Sequence, residues 1–232
     1  MGRSSTVAVR PVYSSDWGNA DPEARLQRDD IDAAGSYLFT AGALSASRSF
    51  VGAVRIGGNR LVTAGFNAQP ANDAAIVSLE AAVSADVSST GLNAITPTLV
   101  ALFNEKPGIR AAIYTQSPNL TAFAVAGQPL PNLYGSGLLK RTPVALPVVD
   151  WSPLQSPHTL LETLRRHTLT SAVLLANRGF LVWSDEPIVK LARFAVSLEE
   201  SASITINARA LGGAKPLPSN AFEAMQSSIS GD

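Results

Sequence analysis

The sequence contains no cysteine and only two histidines, His158 and His167. The absence of cysteine excludes disulfides, thiolate nucleophiles and cysteine-ligated zinc. The two histidines fall on one predicted helix, where ~100° of rotation per residue places them on opposite faces. A catalytic zinc site of three histidines is therefore impossible. We predict a protein without a transition-metal site or other cofactor; carboxylates could still hold Mg²⁺ or Ca²⁺, but no acidic cluster with loop spacing occurs.

The sequence also lacks an excess of charge, a basic run and a long apolar run. Its 18 basic residues balance 18 acidic residues, and no run of like charge exceeds two residues. Nucleic-acid binding usually requires a basic face, so we predict none. The longest apolar runs, such as residues 172–176, fall far short of the ~20 residues that span a bilayer, which predicts no membrane association. Residues 1–10 lack the apolar core of a signal peptide, and the expected location is the cytoplasm.

The length of 232 residues suits one large domain. Residues 1–20 mix serine, glycine, proline and charge, which is typical of an N-terminal arm. Residues 21–213 carry the periodic apolar pattern of a folded domain, and residues 214–232 form a predicted C-terminal tail. Predicted helices and strands alternate along the domain, which favours an α/β fold with helices packed on a sheet.

The first half of the domain opens with capping and turn signals. Asp21 is the predicted N-cap of a first helix, with Pro22 in its first turn. Gly57-Gly58-Asn59 predicts a hairpin turn between β-rich segments at 50–56 and 61–63. We expect a strand at 75–79, a loop over 84–93, and a helix from about Thr96 with Pro97 in its first turn.

The second half of the domain carries strand patterns and helix-capping residues as well. Strands are expected at 110–114, 171–176 and 180–183, with a short or edge strand within the proline-broken segment 143–149. Ser117 and Ser156 are predicted to cap helices over 118–126 and up to His167. Ser184 is the predicted N-cap of a long helix that Gly212-Gly213 ends.

Familiar catalytic and phosphate-binding motifs are missing. The sequence has no G-x-S-x-G elbow and no Walker P-loop. The Gly57-Gly58 pair is too short for a dinucleotide fingerprint. The cations Arg165-Arg166-His167 suit the negative end of a helix dipole better than an anion site.

Two blocks of sequence resemble a known family. Residues 106–127 (KPGIRAAIYTQSPNLTAFAVAG) and 174–183 (LLANRGFLVW) are similar to the class II aldolase and adducin-head family. In that family a proline precedes a strand ending in His-x-His-Ser-Pro, and a later strand pair carries Asn-His-Gly. Residues 198–202 (LEESA) resemble its Leu-Glu-x-x-Ala helix, and segments 53–55 and 61–63 resemble its hairpin. The resemblance runs from about Asp30 to Gly213 and implies a three-layer α/β/α fold around a mixed, largely antiparallel sheet.

The positions that would carry the family's chemistry are changed. The resemblance places two metal ligands at Tyr114 and Gln116 and the third at Arg178. It places the catalytic acid/base glutamate at Ile95. A neutral phenol, an amide and a guanidinium cannot serve as zinc ligands, and that chemistry requires a Lewis acid. The resemblance thus implies the fold and argues against zinc-dependent aldolase activity.

The phosphate-binding segments are changed as well. The family's Gly-Asn pair falls near Phe50-Val51, and its Thr-Pro-Ser-Gly loop is shortened to Thr63-Ala64-Gly65. These replacements leave no polar cradle for a sugar phosphate.

Two hypotheses follow. In the first, the protein is a catalytically silent scaffold or interaction subunit, and the resemblance implies a homo-oligomer (a tetramer) or a hetero-oligomer with a related subunit. In the second, a metal-independent lyase, isomerase or cyclase acts on a small organic ligand. Its candidate catalytic residues would be Tyr114, Gln116 and Arg178, and its candidate substrate-binding residues would be Ser117 and Asn177.

The same three positions could instead form a filled pocket, because buried polar groups form hydrogen bonds whether or not they act. In that case Arg178 could pair with a carboxylate such as Asp150 or Asp185. An open cleft around Tyr114 and Arg178 would favour chemistry, and a filled one would favour the scaffold.

Overall fold

The computed structural model describes residues 17, 21–44, 50–66, 74–80, 92–133, 145–152, 156–215, 218 and 220. Helices and strands alternate through this part of the chain. In order they are α1 (Pro22–Thr40), β1 (Phe50–Ile56), β2 (Arg60–Phe66), β3 (Ala74–Ser78), α2 (Leu92–Glu105), β4 (Ala111–Thr115), α3 (Pro118–Val125), β5 (Val148–Val149), α4 (His158–Arg166), β6 (Ala172–Leu175), β7 (Gly179–Ser184) and α5 (Ile188–Ala210).

The strands form one mixed sheet in the order β3-β2-β1-β4-β7-β6-β5. The pairs from β3 to β6 are all antiparallel. The short strand β5 is parallel to β6. The prediction of a mixed, largely antiparallel sheet is confirmed.

Helices cover both faces of this sheet. One apolar core joins the sheet to α1, α3 and α5, and a second core joins the opposite face to α2 and α4. Side chains alternate between the two cores along each strand, as the period of two requires. In β4, Ile113 faces the first core and Tyr114 faces the second. The predicted three-layer α/β/α architecture is confirmed.

Local signals account for several element boundaries. The carboxylate of Asp21 accepts a hydrogen bond from the Glu23 N–H at 3.0 Å, so the predicted N-cap of α1 is correct. Gly58 and Asn59 have φ values of 70° and 55°, which the β1–β2 hairpin turn requires. The predicted edge strand is two residues long, Val148–Val149; residues 143 and 144 lie outside the described residues.

The predicted start of the long helix was wrong. Helix α5 begins at Ile188, after Pro187, and not at Ser184. Proline disfavours helical backbone in the residue before it, so Glu186 cannot continue a helix into Pro187. The Ser184 hydroxyl instead accepts a hydrogen bond from the Glu186 N–H at 3.1 Å within a turn.

Helix α2 begins earlier than predicted. It starts at Leu92, so Pro97 lies inside it and the expected loop does not reach Asn93. The remainder of that predicted loop, residues 84–91, lies outside the described residues. No helix in the described part of the chain is both long and apolar enough to cross a bilayer.

The predicted arm and tail fall mostly outside the described residues. Within the arm, Trp17 is described; it packs against the core of α1, α3 and α5, and the Arg28 guanidinium lies 5.4 Å from its ring centroid. The domain bounds 21–213 stay a prediction.

Candidate functional site

The predicted site residues meet at one end of the sheet, where β4 ends and the β6–β7 turn begins. The antiparallel register pairs Thr115 with Phe180, which brings Gln116 beside Gly179. Gly179 has a φ of 132°, and a Cβ there would overlap the Thr115 carbonyl oxygen and lie 3.2 Å from the Gln116 Cα. Glycine is therefore required for this close approach.

Tyr114 closes the contact between β4 and the turn. Its phenol is buried and donates a hydrogen bond to the Arg178 carbonyl oxygen at 3.1 Å. Burial raises the pKa of Tyr114, and a Gln116 hydrogen bond and the Arg178 charge offset part of that rise. The phenol is therefore protonated at neutral pH, and it could donate a proton but not act as a base.

Arg178 is half-buried in the turn. Its guanidinium lies 5.3 Å from the ring centroid of Trp151, a cation–π contact. Its Nε has no hydrogen-bond partner among the described residues. The predicted ion pair was wrong, because Asp185 follows β7 at the opposite end of the sheet. Asp150 borders the same cavity as Arg178 without an ion pair between them in the described part of the chain.

The space next to Arg178 is small. A cavity of about 20 Å³ lies between Arg178, Asp150 and Leu160. One water molecule needs at least ~10–15 Å³ on this measure, so the cavity holds one water and not an organic substrate. Arg178 lines this cavity, but Tyr114 and Gln116, the other two positions that the resemblance assigns to the metal, do not.

Ser117 and Asn177 lie on either side of this arrangement. Ser117 is the N-cap residue of α3, as predicted, but its hydroxyl is fully buried, makes no capping hydrogen bond and has no partner among the described residues. Asn177 is exposed at a φ of 57°, and its backbone N–H donates to the Ala124 carbonyl at 3.3 Å. A soluble ligand could therefore contact Asn177 and could not reach the Ser117 hydroxyl.

Glu199 accepts the N–H hydrogen bonds that the Ser117 side chain does not make at the start of α3. One carboxylate oxygen accepts hydrogen bonds from the Asn119 N–H at 2.7 Å and the Asn119 side-chain amide at 2.8 Å. The other accepts from the Leu120 N–H at 2.9 Å. These groups are the donors that an anion would use at the start of α3, so that helix end is not free to hold a phosphate.

Sequence reasoning noted Glu199 only as part of a motif. A usable signal was present, because Glu199 is four residues after Ala195 and eight after Leu191, on the apolar stripe of α5. An acidic residue on a buried stripe requires hydrogen-bond donors from a neighbouring element.

The residues present do not fit a zinc ion. A protonated phenol offers no charged ligand, an amide is a weak one, and the Arg178 guanidinium adds positive charge where the ion would sit. Among the described residues, no group of three acidic or histidine side chains could hold a metal. Ile95, which the resemblance places at the position of the family's acid/base, is fully buried in α2.

Most of the described residues at the positions that the resemblance assigns to phosphate binding are buried. Phe50 and Val51 pair with Thr115 and Tyr114, so they lie at the same end of the sheet as the candidate site. Both are buried, and Thr63 is fully buried with its hydroxyl directed to the Ala75 carbonyl at 3.4 Å. No described side chain at these positions would hold a phosphate group.

Comparisons with known proteins agree with this fold. The model of the family "Class II Aldolase and Adducin N-terminal domain" matches residues 30–206. An L-fuculose 1-phosphate aldolase structure aligns with a TM-score of 0.71 at 15% identity, over 91% of this chain and 98% of that chain. The L-fuculose-1-phosphate aldolase of Thermus thermophilus aligns with a TM-score of 0.64 at 21% identity, over 83% and 98%.

A third similar structure is the Escherichia coli protein YgbL, described as a putative aldolase/epimerase/decarboxylase. It aligns with a TM-score of 0.66 at 18% identity, over 88% of this chain and 99% of that chain. No curated protein sequence is detectably similar to this one.

Proposed function

This chain belongs to the class II aldolase and adducin N-terminal domain family, and from that premise we propose that it is a catalytically silent member that acts as an oligomeric scaffold or interaction subunit. One observation carries the proposal. At the positions that the resemblance assigns to the family's metal, the buried Tyr114 phenol is bonded to the Arg178 carbonyl, and the cavity that borders Arg178 measures only about 20 Å³.

The surrounding positions support the same conclusion. Ile95 offers no acid or base, and the Glu199 carboxylate occupies the N–H groups at the start of α3. The losses are concerted, because metal, proton transfer and phosphate binding each lack their side chains. The core packing around them is intact, which is what a structural role requires.

The surface is compatible with assembly. A net charge of zero gives little colloidal repulsion between copies. Several large apolar side chains are exposed, including Leu26, Trp151, Leu169 and Leu211. We propose a homo-oligomer, a tetramer by resemblance, or a hetero-oligomer with a related subunit.

The decisive experiment combines mass, metal content and activity on the full chain. Light scattering is expected to give an oligomer, and elemental analysis is expected to give no stoichiometric transition metal after dialysis. Cleavage of L-fuculose 1-phosphate with added zinc is expected to stay at background, with an active L-fuculose 1-phosphate aldolase as the positive control. A monomer at all concentrations that captures no related subunit would overturn the scaffold role.

A second candidate function rests on Arg178. Its Nε is unpartnered among the described residues and lies near a protonated phenol, which together could hold an anionic group and donate a proton to it. This arrangement suits a metal-independent lyase, isomerase or cyclase, with Gln116 and Asn177 beside the ligand. A ligand screen by thermal shift tests it; a hit that Arg178→Met and Tyr114→Phe both abolish would favour chemistry over the scaffold.

A further inference from the structure

A second cavity lies at the opposite end of the sheet, where β4 begins and β7 ends. The register pairs Ala111 with Ser184 at this end and Thr115 with Phe180 at the candidate site. The cavity measures about 440 Å³ and opens to solvent between Lys106, Trp183 and Asp185. Small-molecule pockets occupy roughly 300–1,000 Å³, so this cavity is large enough for an organic ligand.

One positive and one negative charge in the cavity lack an ion-pair partner among the described residues. The Lys106 ammonium lies 6.0 Å from the ring centroid of Trp183, and it forms no ion pair with another described residue. The hydrogen bond from Arg165 at 2.9 Å is the main cause that lowers the pKa of Glu105, the carboxylate next to Lys106 in sequence, and the Lys106 charge adds a smaller part without an ion pair. Asp185 is exposed and likewise forms no ion pair within the described part of the chain.

The third charged group in the cavity, the Glu186 carboxylate, already has an ion-pair partner. A carboxylate oxygen of Glu186 lies 2.9 Å from the Lys190 ammonium one turn into α5. The charge that remains for a ligand is therefore one ammonium and one carboxylate. Trp183 and Ile109 supply an apolar wall between the two sides of the cavity.

We propose that this cavity binds a small zwitterion, with the ligand carboxylate on Lys106 and the ligand ammonium on Asp185. A molecule with both charges satisfies both side chains at once, whereas a singly charged molecule leaves one unmatched. The short carbon chain of an ω-amino acid would lie against Trp183 and Ile109. This site is separate from the Tyr114 site and does not depend on the function proposed there.

Calorimetric titration of the full chain tests the proposal. The probes are glycine, 4-aminobutyrate and 6-aminohexanoate, whose charges are separated by increasing lengths of chain. Butyrate and butylamine carry the single charges and serve as ligand controls. One ω-amino acid is expected to bind at least about tenfold more tightly than either control, which corresponds to about 1.4 kcal/mol.

Variants assign the binding to this cavity. Lys106→Met and Asp185→Asn are each expected to weaken binding of that probe by about tenfold or more, since each removes a charge-assisted hydrogen bond. Lys215→Met is the matched control, because Lys215 follows the far end of α5, a helix about 34 Å long at 1.5 Å per residue. Thermal melts of all variants will check that each one is folded.

The outcomes are separable. Absence of binding for every ω-amino acid at millimolar concentration overturns the proposal. Equal binding of butyrate or butylamine also overturns it, because a single charge would then suffice. Binding that survives both Lys106→Met and Asp185→Asn places the ligand elsewhere and overturns it too.

Discussion

Glu199 accepts hydrogen bonds from both the backbone N–H and the side-chain amide of Asn119, at 2.7 and 2.8 Å. This contact ties the middle of α5 to the first turn of α3, immediately after the loop that holds Gln116 and Ser117. The loop geometry at the candidate site therefore depends on a carboxylate that is not itself part of the site.

Replacing Glu199 is expected to destabilise the fold. Glu199→Ala leaves the Asn119 and Leu120 N–H groups unpartnered and should cost about 2–4 kcal/mol, since hydrogen bonds to charged groups contribute ~1.5–3 kcal/mol each and a lost helix cap ~1 kcal/mol. Glu199→Gln keeps one acceptor oxygen and should cost less. Urea unfolding midpoints measure both. The exposed neighbour Glu200→Ala is the control, and an equal loss there would contradict the capping role.

A graded glycine series tests the close approach at Gly179. Gly179→Ala should cost more than about 3 kcal/mol, because the residue has positive φ and its Cβ would overlap the Thr115 carbonyl. Gly127 has a φ of 62° with nothing within 4 Å of its added Cβ, so Gly127→Ala isolates the backbone cost of about 1–2 kcal/mol.

Gly108→Ala completes the series. Its Cβ would meet open space, and its backbone does not lie in the left-handed region. This variant is expected to stay within about 0.5 kcal/mol of the parent. The order of unfolding temperatures, from highest to lowest, should be Gly108→Ala, then Gly127→Ala, then Gly179→Ala; a Gly179→Ala variant as stable as Gly127→Ala would show that the turn can move away from β4.

Ionisation of the Tyr114 phenol should make the stability of the folded state depend on pH in the alkaline range. Burial raises its pKa in the folded state above the ordinary value of 10.0. The folded state then binds more protons than the unfolded state above about pH 10, so stability falls as the pH rises through the folded pKa. Below about pH 10, Tyr114 is protonated in both states, and its contribution to the free energy of unfolding does not change with pH.

Comparison with Tyr114→Phe isolates this effect. The variant should lose about 1 kcal/mol at pH 7, where the hydrogen bond to Arg178 is removed. The difference between the two proteins should shrink as the pH rises above about 10, because only the parent titrates at this position. Urea midpoints from pH 7 to 11 measure the difference; a difference independent of pH would mean that the phenol is not desolvated.

Histidines introduced at the three positions that the resemblance assigns to the metal are expected to bind zinc. The triple variant Tyr114→His, Gln116→His, Arg178→His removes the guanidinium and supplies three imidazoles at adjacent positions, a ligand number typical of catalytic zinc. We expect stoichiometric zinc after dialysis, measured by elemental analysis, with circular dichroism to confirm folding. The parent chain should retain none. A folded triple variant that binds no zinc would show that these positions are not the family's ligand positions.

Local signals predicted several element boundaries, whereas the three-layer architecture and the mixed sheet were implied by the family resemblance. Asp21 before Pro22 and the Gly57-Gly58-Asn59 turn fix backbone geometry within a few residues, and both were confirmed. The start of α5 was wrong because the capping pattern at Ser184 was given more weight than the restriction that Pro187 places on Glu186. The order of strands in the sheet was not predicted, because no local pattern encodes which distant strands become neighbours.

The proximity of the candidate residues was predictable through the family resemblance, and their contacts were not. Sequence placed Tyr114, Gln116 and Arg178 together, and the structure places them at one end of the sheet. Their interactions depend on the tertiary arrangement: Tyr114 bonds to the backbone of Arg178, and the guanidinium stacks on Trp151 rather than pairing with Asp150. The position of Glu199 on the apolar stripe of α5 indicates a buried carboxylate, but the local sequence does not say which distant N–H groups it binds.

The sheet order also has a consequence for folding speed. The central ladder joins β1, β4 and β7, whose residues 50–56, 111–115 and 179–184 are far apart in the chain. The hairpins β1–β2 and β6–β7 can form from nearby residues, but the ladder between them requires closing loops of more than fifty residues. The protein should therefore collapse through two separate hairpin units and complete its sheet slowly, with its most buried strands among the last to pair.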